Sequence, residues 1–222
     1  MLVQKIINKD FTPLAHDDTA SKALAKMDAW HTTCLPVIES TTGKLIGQIR
    51  LEQLVDLADE SVQIATLPID APAAVFPHQH IFEVARQMLM HEVRIIPVVD
   101  NEYTYLGIAE KKEVLEALSA LLNVSVSGSV ISVDILSKDY SLSELVHLIE
   151  SENARILGVA VEAPKGTADS FQVSFKLNIK DTSAISKSLR RHGYTVQSEN
   201  QSELLQFDIT DRADELIRYL DV

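Results

Sequence analysis

The chain has 222 residues, 46% hydrophobic and 23% charged, with seven glycines and seven prolines. That composition excludes collagen-like, low-complexity and wholly disordered readings, because its apolar surface suffices to offset chain entropy. Lys and Arg number 20 against 32 Asp and Glu, a net charge of −12, which repels phosphate backbones and anionic lipid and so argues against nucleic acid and membrane as partners. The length suits one large domain or two small ones. Residues 1–11, MLVQKIINKDF, hold no continuous apolar core and no small-residue cleavage site, so no secretory signal is read there. No apolar run approaches the ~20 residues that cross a bilayer. The single cysteine, Cys34, has no intramolecular partner, and a cytoplasmic location is expected.

An internal repeat organises the first half. Cys34-Leu35-Pro36-Val37-Ile38-Glu39 returns as Ile95-Ile96-Pro97-Val98-Val99-Asp100, 61 positions on, and Met27 falls on Met88 at the same offset. Gly47 falls on Gly107 at an offset of 60, a one-residue loop difference. In the first copy Asp18 or Thr19 caps a helix with Ala20, Ala23, Leu24, Met27 and Trp30 on one face; in the second, Ile81, Val84, Ala85 and Met88 make the same face. A short proline-containing strand follows in each, and proline there predicts an edge strand. The turns Thr42-Gly43 and Asn101-Glu102 lead to second strands, Leu45–Ile49 and Leu106–Ala109, and to helices starting near Leu51 and Lys111. Each copy is a β-α-β-β-α unit of about sixty residues.

Residues 1–122 resemble a tandem pair of CBS domains, carried by the helices ending in Met27 and Met88, the Leu35-Pro36-Val37-Ile38 and Ile96-Pro97-Val98-Val99-Asp100 strands, and the Gly47 and Gly107 strands. The resemblance implies pseudo-symmetric packing with two clefts that hold adenine nucleotides or related adenosyl ligands such as S-adenosylmethionine. The family pattern after the glycine ends in a phosphate-facing hydroxyl and, three residues on, a ribose-facing Asp. Copy one has Arg50 and Gln53 at these places and copy two has Glu110 and Glu113. By that correspondence Arg50 is the phosphate contact, Gln53 replaces the ribose carboxylate, and Val37 and Ile49 flank the base. Arg94, Ile108 and Glu113 are the matching candidates in the second cleft. The alternative is that Arg50, Glu52, Glu110 and Glu113 are solvated helix-entry charges and Arg94 an ordinary surface charge.

Asn123–Ser129 is small, polar and glycine-containing and reads as a linker. Beyond it, Ile131, Val133 and Ile135 alternate as a strand, and Ser141-Leu142-Ser143-Glu144 reads as a capping box opening a helix with Leu142, Leu145, Val146 and Ile149 on one face. Leu157, Val159, Val161 and Ala163 alternate again. Phe171, Val173, Phe175, Leu177 and Ile179 give the clearest strand, with one polar face, which predicts an antiparallel sheet covered on one side. A helix from about Thr182 to Gly193 and a strand at Tyr194-Thr195-Val196 complete a β-α-β-β-α-β, ferredoxin-like order. This resembles an ACT domain, an amino-acid-sensing and dimerising module; Asp139 falls where the family's ligand-loop Asp lies, but the Pro-Gly that follows it there is absent. Glu203–Val222 adds a strand and an amphipathic helix.

The expected organisation is CBS repeats over 1–60 and 61–122, a linker over 123–129, and an ACT-like domain with a C-terminal strand-helix extension over 130–222, an α+β to α/β protein. His78-Gln79-His80 is better explained as a helix-entry loop than as a metal site, and Cys34 as a core thiol than as a nucleophile. No P-loop, GxSxG, HExxH or GxGxxG occurs, so no catalytic residues and no metal are assigned. The expected role is non-enzymatic: a regulatory homodimer sensing an adenosyl ligand (AMP, ADP, ATP or S-adenosylmethionine-type) and acting on an unidentified partner protein. Two readings stand beside it, a structural homo-oligomer without ligand and an amino-acid sensor acting through the ACT-like half.

Overall fold

The computed structural model describes residues 1–164, 166 and 168–198; the expected strand and helix at 203–222 lie outside them. The chain divides into two units, Met1–Leu118 and Ser119–Val222. In the first, copy one comprises β1 (Leu14–Ala15), α1 (Ala20–Ala29), β2 (Cys34–Ile38), β3 (Leu45–Arg50) and α2 (Glu52–Val55). Copy two comprises α3 (Ile81–Met90), β4 (Ile95–Val99), β5 (Tyr105–Glu110) and α4 (Lys111–Leu121).

Equivalent residues in the two copies do equivalent work. The Thr19 hydroxyl caps α1 by accepting from the Lys22 amide, and the His80 ring caps α3 by accepting from the Phe82 amide. Both helices then stop on a left-handed residue, His31 (φ 49°) and Glu92 (φ 54°). The next amide in each reaches back to a methionine carbonyl, Thr32 to Met27 at 3.0 Å and Val93 to Met88 at 3.1 Å. This closes the last turn and satisfies carbonyls that the helix leaves open.

Of the two proline strands, β4 is an edge, paired as a strand only with β5 and met on its other side by an isolated bridge from Val75, but β2 is not. β2 lies between β1 and β3. Pro36 is tolerated there because β1 is two residues long and pairs only with Val37 and Ile38, leaving no ladder bond for the missing N–H. Beside β4, Val75 takes the place of β1: its amide donates to the Pro97 carbonyl at 3.0 Å and its carbonyl accepts from the Val99 amide at 3.0 Å, so Pro97 again has no donor to supply.

Gly47 and Gly107 face these strands at matching positions, opposite Val37 and Val98. A Cβ on Gly47 would lie 1.9 Å from Ile69 Cγ2 and 2.9 Å from the Asp70 carbonyl oxygen. On Gly107 (φ +146°) it would lie 2.5 Å from the Asn8 carbonyl oxygen. Glycine thus lets a crossing segment, Ile69-Asp70 or Ile7-Asn8, lie against the strand. Those segments pair by two hydrogen bonds each, Asp70 with Gln48 and Asn8 with Ile108.

The copies also exchange parts. Val3 and Ile6 pack in the core of Val84, Met88, Ile96 and Val98, whereas Ile64 packs with Leu14, Met27, Leu35 and Val37. Cys34 belongs to the former core and Ile95 to the latter, so each copy's proline strand starts in the other's core. The hairpin turns meet at their equivalent residues Lys44 and Thr104, bonded through Leu45 N–H to Tyr103 O (2.9 Å) and Tyr105 N–H to Gly43 O (3.0 Å).

The second unit comprises β6 (Ser129–Leu136), α5 (Leu142–Ser151), β7 (Ile156–Glu162), β8 (Ser170–Leu177), α6 (Ser183–Arg191) and β9 (Thr195–Ser198). The sheet is antiparallel in the order β7-β8-β6-β9, the ferredoxin-like arrangement. Ile131, Val133, Ile135, Val173, Phe175 and Leu177 bury one face under Leu145, Ile149, Ile185 and Leu189 of the helices. β8 is an inner strand, with its backbone paired on both sides. Two sequence expectations fail locally. Ser141 is the N-cap of α5 but its side chain makes no capping bond, and its hydroxyl meets that of Ser143 instead, so the capping box is not formed. The alternation through Leu157 is broken by a bulge between Ile156 and Gly158, and Ile156 and Val159, both half-buried, pack against the core.

Candidate functional site

β5 passes into α4 with no intervening loop. The Lys111 amide donates to the Arg94 carbonyl at 2.8 Å, just as the Leu51 amide donates to Thr33 in copy one. That bond sets the last residue before β4 beside the first turn of α4. The result is a cleft of about 420 Å³ lined by Trp30, His31, Arg94, Ile95, Glu110, Lys111 and Lys112, a volume within the range of small-ligand sites. One Arg94 guanidinium nitrogen donates to the His31 carbonyl at 3.3 Å, so the end of α1 in copy one forms the opposite wall. Trp30 is fixed edge-on against Phe11, ring centroids 4.7 Å apart.

The cleft is cationic in an acidic chain. Glu110, its one carboxylate, accepts from the Asn8 side-chain amide at 2.6 Å. Lys112 lies 3.8 Å from Glu116, a loose exposed pair. Among the described residues, Arg94 and Lys111 make no ion pair. Cations on the first two residues of a helix face the positive end of its dipole, an arrangement costing roughly 0.3–1 kcal/mol each, and an anion at that end offsets it.

The other sequence candidates lie elsewhere in the unit. Val37, Ile49 and Ile108 are fully buried, all three in the core shared with Leu14 and Met27. Arg50 holds Asp70, Nε to Oδ2 at 3.3 Å. Gln53 is spent on backbone: its Oε1 accepts from the Arg50 amide at 2.6 Å, and its Nε2 donates to the Pro68 carbonyl at 2.9 Å. Arg50–Asp70 and Glu110–Asn8 are equivalent pairs, each joining the end of a glycine strand to its crossing segment. Glu113 borders a separate recess of about 470 Å³ with Lys5, Ile7, Asn8, Lys9 and Asp10. The structure therefore brings Arg94 together with Glu110, but not with Arg50, Gln53 or Glu113. Trp30, His31, Lys111 and Lys112 are absent from the sequence candidates; the adjacent lysines opening a helix were the available signal.

Cys34 is buried, and burial pushes its thiol up to about 11, so it stays protonated near neutrality. His80 serves as the cap of α3, and His78 stacks on Phe76 at 5.8 Å. In the second unit Asp139 is exposed in a short turn, 137–139, beside Tyr140, whose ring lies 4.6 Å from that of Phe171. The Tyr194 phenol is pushed up to about 12 by burial and then by its hydrogen bond to Glu144. Among the described residues no helix is long and apolar enough to cross a membrane.

A family model described as the CBS domain matches residues 3–60 and again 64–120, together just over half of the chain. Among solved structures, a CBS domain pair/ACT domain protein from Thermotoga maritima is similar at 25% identity over 54% of this chain and 98% of that one, with a TM-score of 0.49. The CBS domains of a transcriptional regulator from Streptococcus pneumoniae align at 21% identity over 52% of this chain and 98% of that one, with a TM-score of 0.47.

Proposed function

Because the chain belongs to the CBS-domain family, we propose that it is a non-catalytic sensor whose first unit binds an adenine nucleotide or adenosyl compound and passes the bound state to a partner protein. The anionic end of the ligand lies in the cleft, on Arg94, Lys111 and Lys112. One observation carries this reading: two cations without ion pairs converge on a helix N-terminus inside a concave site, in a chain of net charge −12. Arg50, the contact favoured by the sequence pattern alone, already has a carboxylate partner in Asp70. The second unit fits an ACT-type module by its β-α-β-β-α-β order; no amino-acid ligand is assigned to it, since Ser137–Ser141 lacks the glycine that would admit a ligand to the backbone.

A ligand that binds only the folded state stabilises it by RT ln(1 + [L]/Kd). Thermal-shift screening against AMP, ADP, ATP, S-adenosylmethionine and adenosine is therefore expected to raise Tm with the phosphorylated compounds. The shift shrinks in Arg94→Ala and persists in Arg50→Ala. No shift with any millimolar adenosyl compound refutes the nucleotide reading; a shift lost in Arg50→Ala and kept in Arg94→Ala places the phosphate in the first copy instead.

A further inference from the structure

The sheet of the second unit buries one face under α5 and α6, and its opposite face is of two kinds. Toward one end Asp134 accepts from the side-chain amides of Gln172 and Gln197, as a solvated strand face does. Toward the other end the face turns apolar. Val130, 41% exposed, stands opposite Lys176, which stands opposite Gly158; Ser174, two residues along β8, stands between Ser132 and Ala160. A recess of about 200 Å³ opens there, bordered by Val130, Gly158 and Ala160 from the sheet and by Leu122 and Val124 from the segment after α4. That segment is a fixed lip. Asn123 takes a left-handed φ of 52°, which Asn tolerates better than most residues, and its side-chain amide donates to the Leu157 carbonyl at 2.7 Å. The Val124 amide donates to the Ser119 carbonyl at 3.0 Å. Gly158 lets the lip close in, since a Cβ there would lie 3.0 Å from the Leu122 carbonyl oxygen. A sheet face that meets only water needs neither the valine nor the lip.

We propose that this recess binds a small monocarboxylate with an unbranched apolar chain. Size limits the chain. A volume of about 200 Å³ equals the share of roughly six or seven waters, so it takes a body of about six carbons, smaller than the occupant of a drug-sized pocket. The walls exclude a polar body, because apolar side chains make up almost all of them. Lys176 sets the charge. It is half-buried, it alone among the bordering residues is charged, and among the described residues it makes no ion pair, so a carboxylate at the rim gains a charge-assisted hydrogen bond. The Ser174 hydroxyl meets that of Ser132 at 2.8 Å; two hydroxyls in one bond leave a second O–H free to donate to the same anion. No carboxylate borders the recess, so the ammonium of an amino acid would lack a partner there and would stand beside Lys176. The site goes beyond the adenosyl reading of the first unit and does not depend on it.

Calorimetric titration of the full chain with butyrate, hexanoate, octanoate, hexanol and norleucine tests it. Affinity is expected to rise about fourfold with each methylene buried, up to a chain of about six carbons, and then to level off. Hexanol and norleucine are expected to bind roughly tenfold or more weakly than hexanoate, the first for want of the carboxylate and the second for its ammonium. Two variants on the solvent-facing side of the sheet leave folding intact by circular dichroism. Val130→Trp fills the recess and abolishes hexanoate binding. Lys176→Met keeps an apolar wall and lowers hexanoate to the level of hexanol. No heat with hexanoate or octanoate at tens of millimolar overturns the proposal. So does affinity that climbs unchanged past eight carbons, equal binding of hexanol or norleucine, or hexanoate binding that survives Val130→Trp or Lys176→Met undiminished.

Discussion

Cys34 shows how position sets the chemistry of a single residue. Its thiol opens β2 and points into an apolar core, and burial holds it protonated up to about pH 11. In the unfolded chain a thiol titrates near 8.5. Between those values the unfolded state releases the proton and the folded state keeps it, so this contribution is full below about pH 8.5 and lost as pH rises toward 11. The loss is at most about 3 kcal/mol. Denaturant unfolding at pH 7 and pH 10 is expected to show a steeper fall for the wild type than for Cys34→Val, and the native thiol should resist alkylation at pH 7 until the protein unfolds. At the same scale Arg50 and Asp70 form a partly exposed pair. Arg50→Ala is expected to cost less than about 1 kcal/mol in chemical denaturation, the ordinary worth of such a pair.

Among the elements, the two glycine strands make the clearest prediction. Gly47→Ala places a methyl within 1.9 Å of Ile69 Cγ2 and 2.9 Å of the Asp70 carbonyl oxygen. Gly107→Ala adds a left-handed φ of +146° to a clash with the Asn8 carbonyl oxygen at 2.5 Å. Overpacking of this kind costs roughly 1–3 kcal/mol, so both variants should melt lower, Gly107→Ala by more. Conversely, Glu92 holds a left-handed conformation that costs a side-chain-bearing residue roughly 1–2 kcal/mol; Glu92→Gly should therefore raise the melting temperature by a few degrees. The repeat was legible in the sequence because Pro36 and Pro97, Met27 and Met88, and Gly47 and Gly107 each meet the same local demand. The inner place of β2 is not. Edge position was inferred from the missing N–H, whereas the tolerance comes from neighbours too short to need it: the two residues of β1 and the single residue Val75. The α5 box is absent as well, because the Ser141 hydroxyl meets that of Ser143 and not a backbone amide of the helix.

For the whole molecule, the duplicated unit and the β-α-β-β-α-β order of the second unit follow from repetition and periodicity, and the family from the resemblance carried by the repeated proline and glycine strands. The site was only half legible. A motif correspondence points to Arg50 and Gln53, but it cannot show that Asp70 and the Pro68 carbonyl, brought in by the crossing segment, already occupy them. Nor does it join Arg94 to Lys111 and Lys112, which meet only because β4 and β5 pair antiparallel and place the Arg94 carbonyl against the Lys111 amide. Calorimetric titration of the full chain with ATP and with adenosine, repeated on Arg94→Ala, tests the cationic cleft most directly. The account predicts that ATP binds more tightly than adenosine, and that Arg94→Ala weakens ATP roughly tenfold or more, the worth of a charge-assisted hydrogen bond, while leaving adenosine nearly unchanged. Absence of binding heat with millimolar ATP, or equal affinity of wild type and Arg94→Ala for it, would contradict the account.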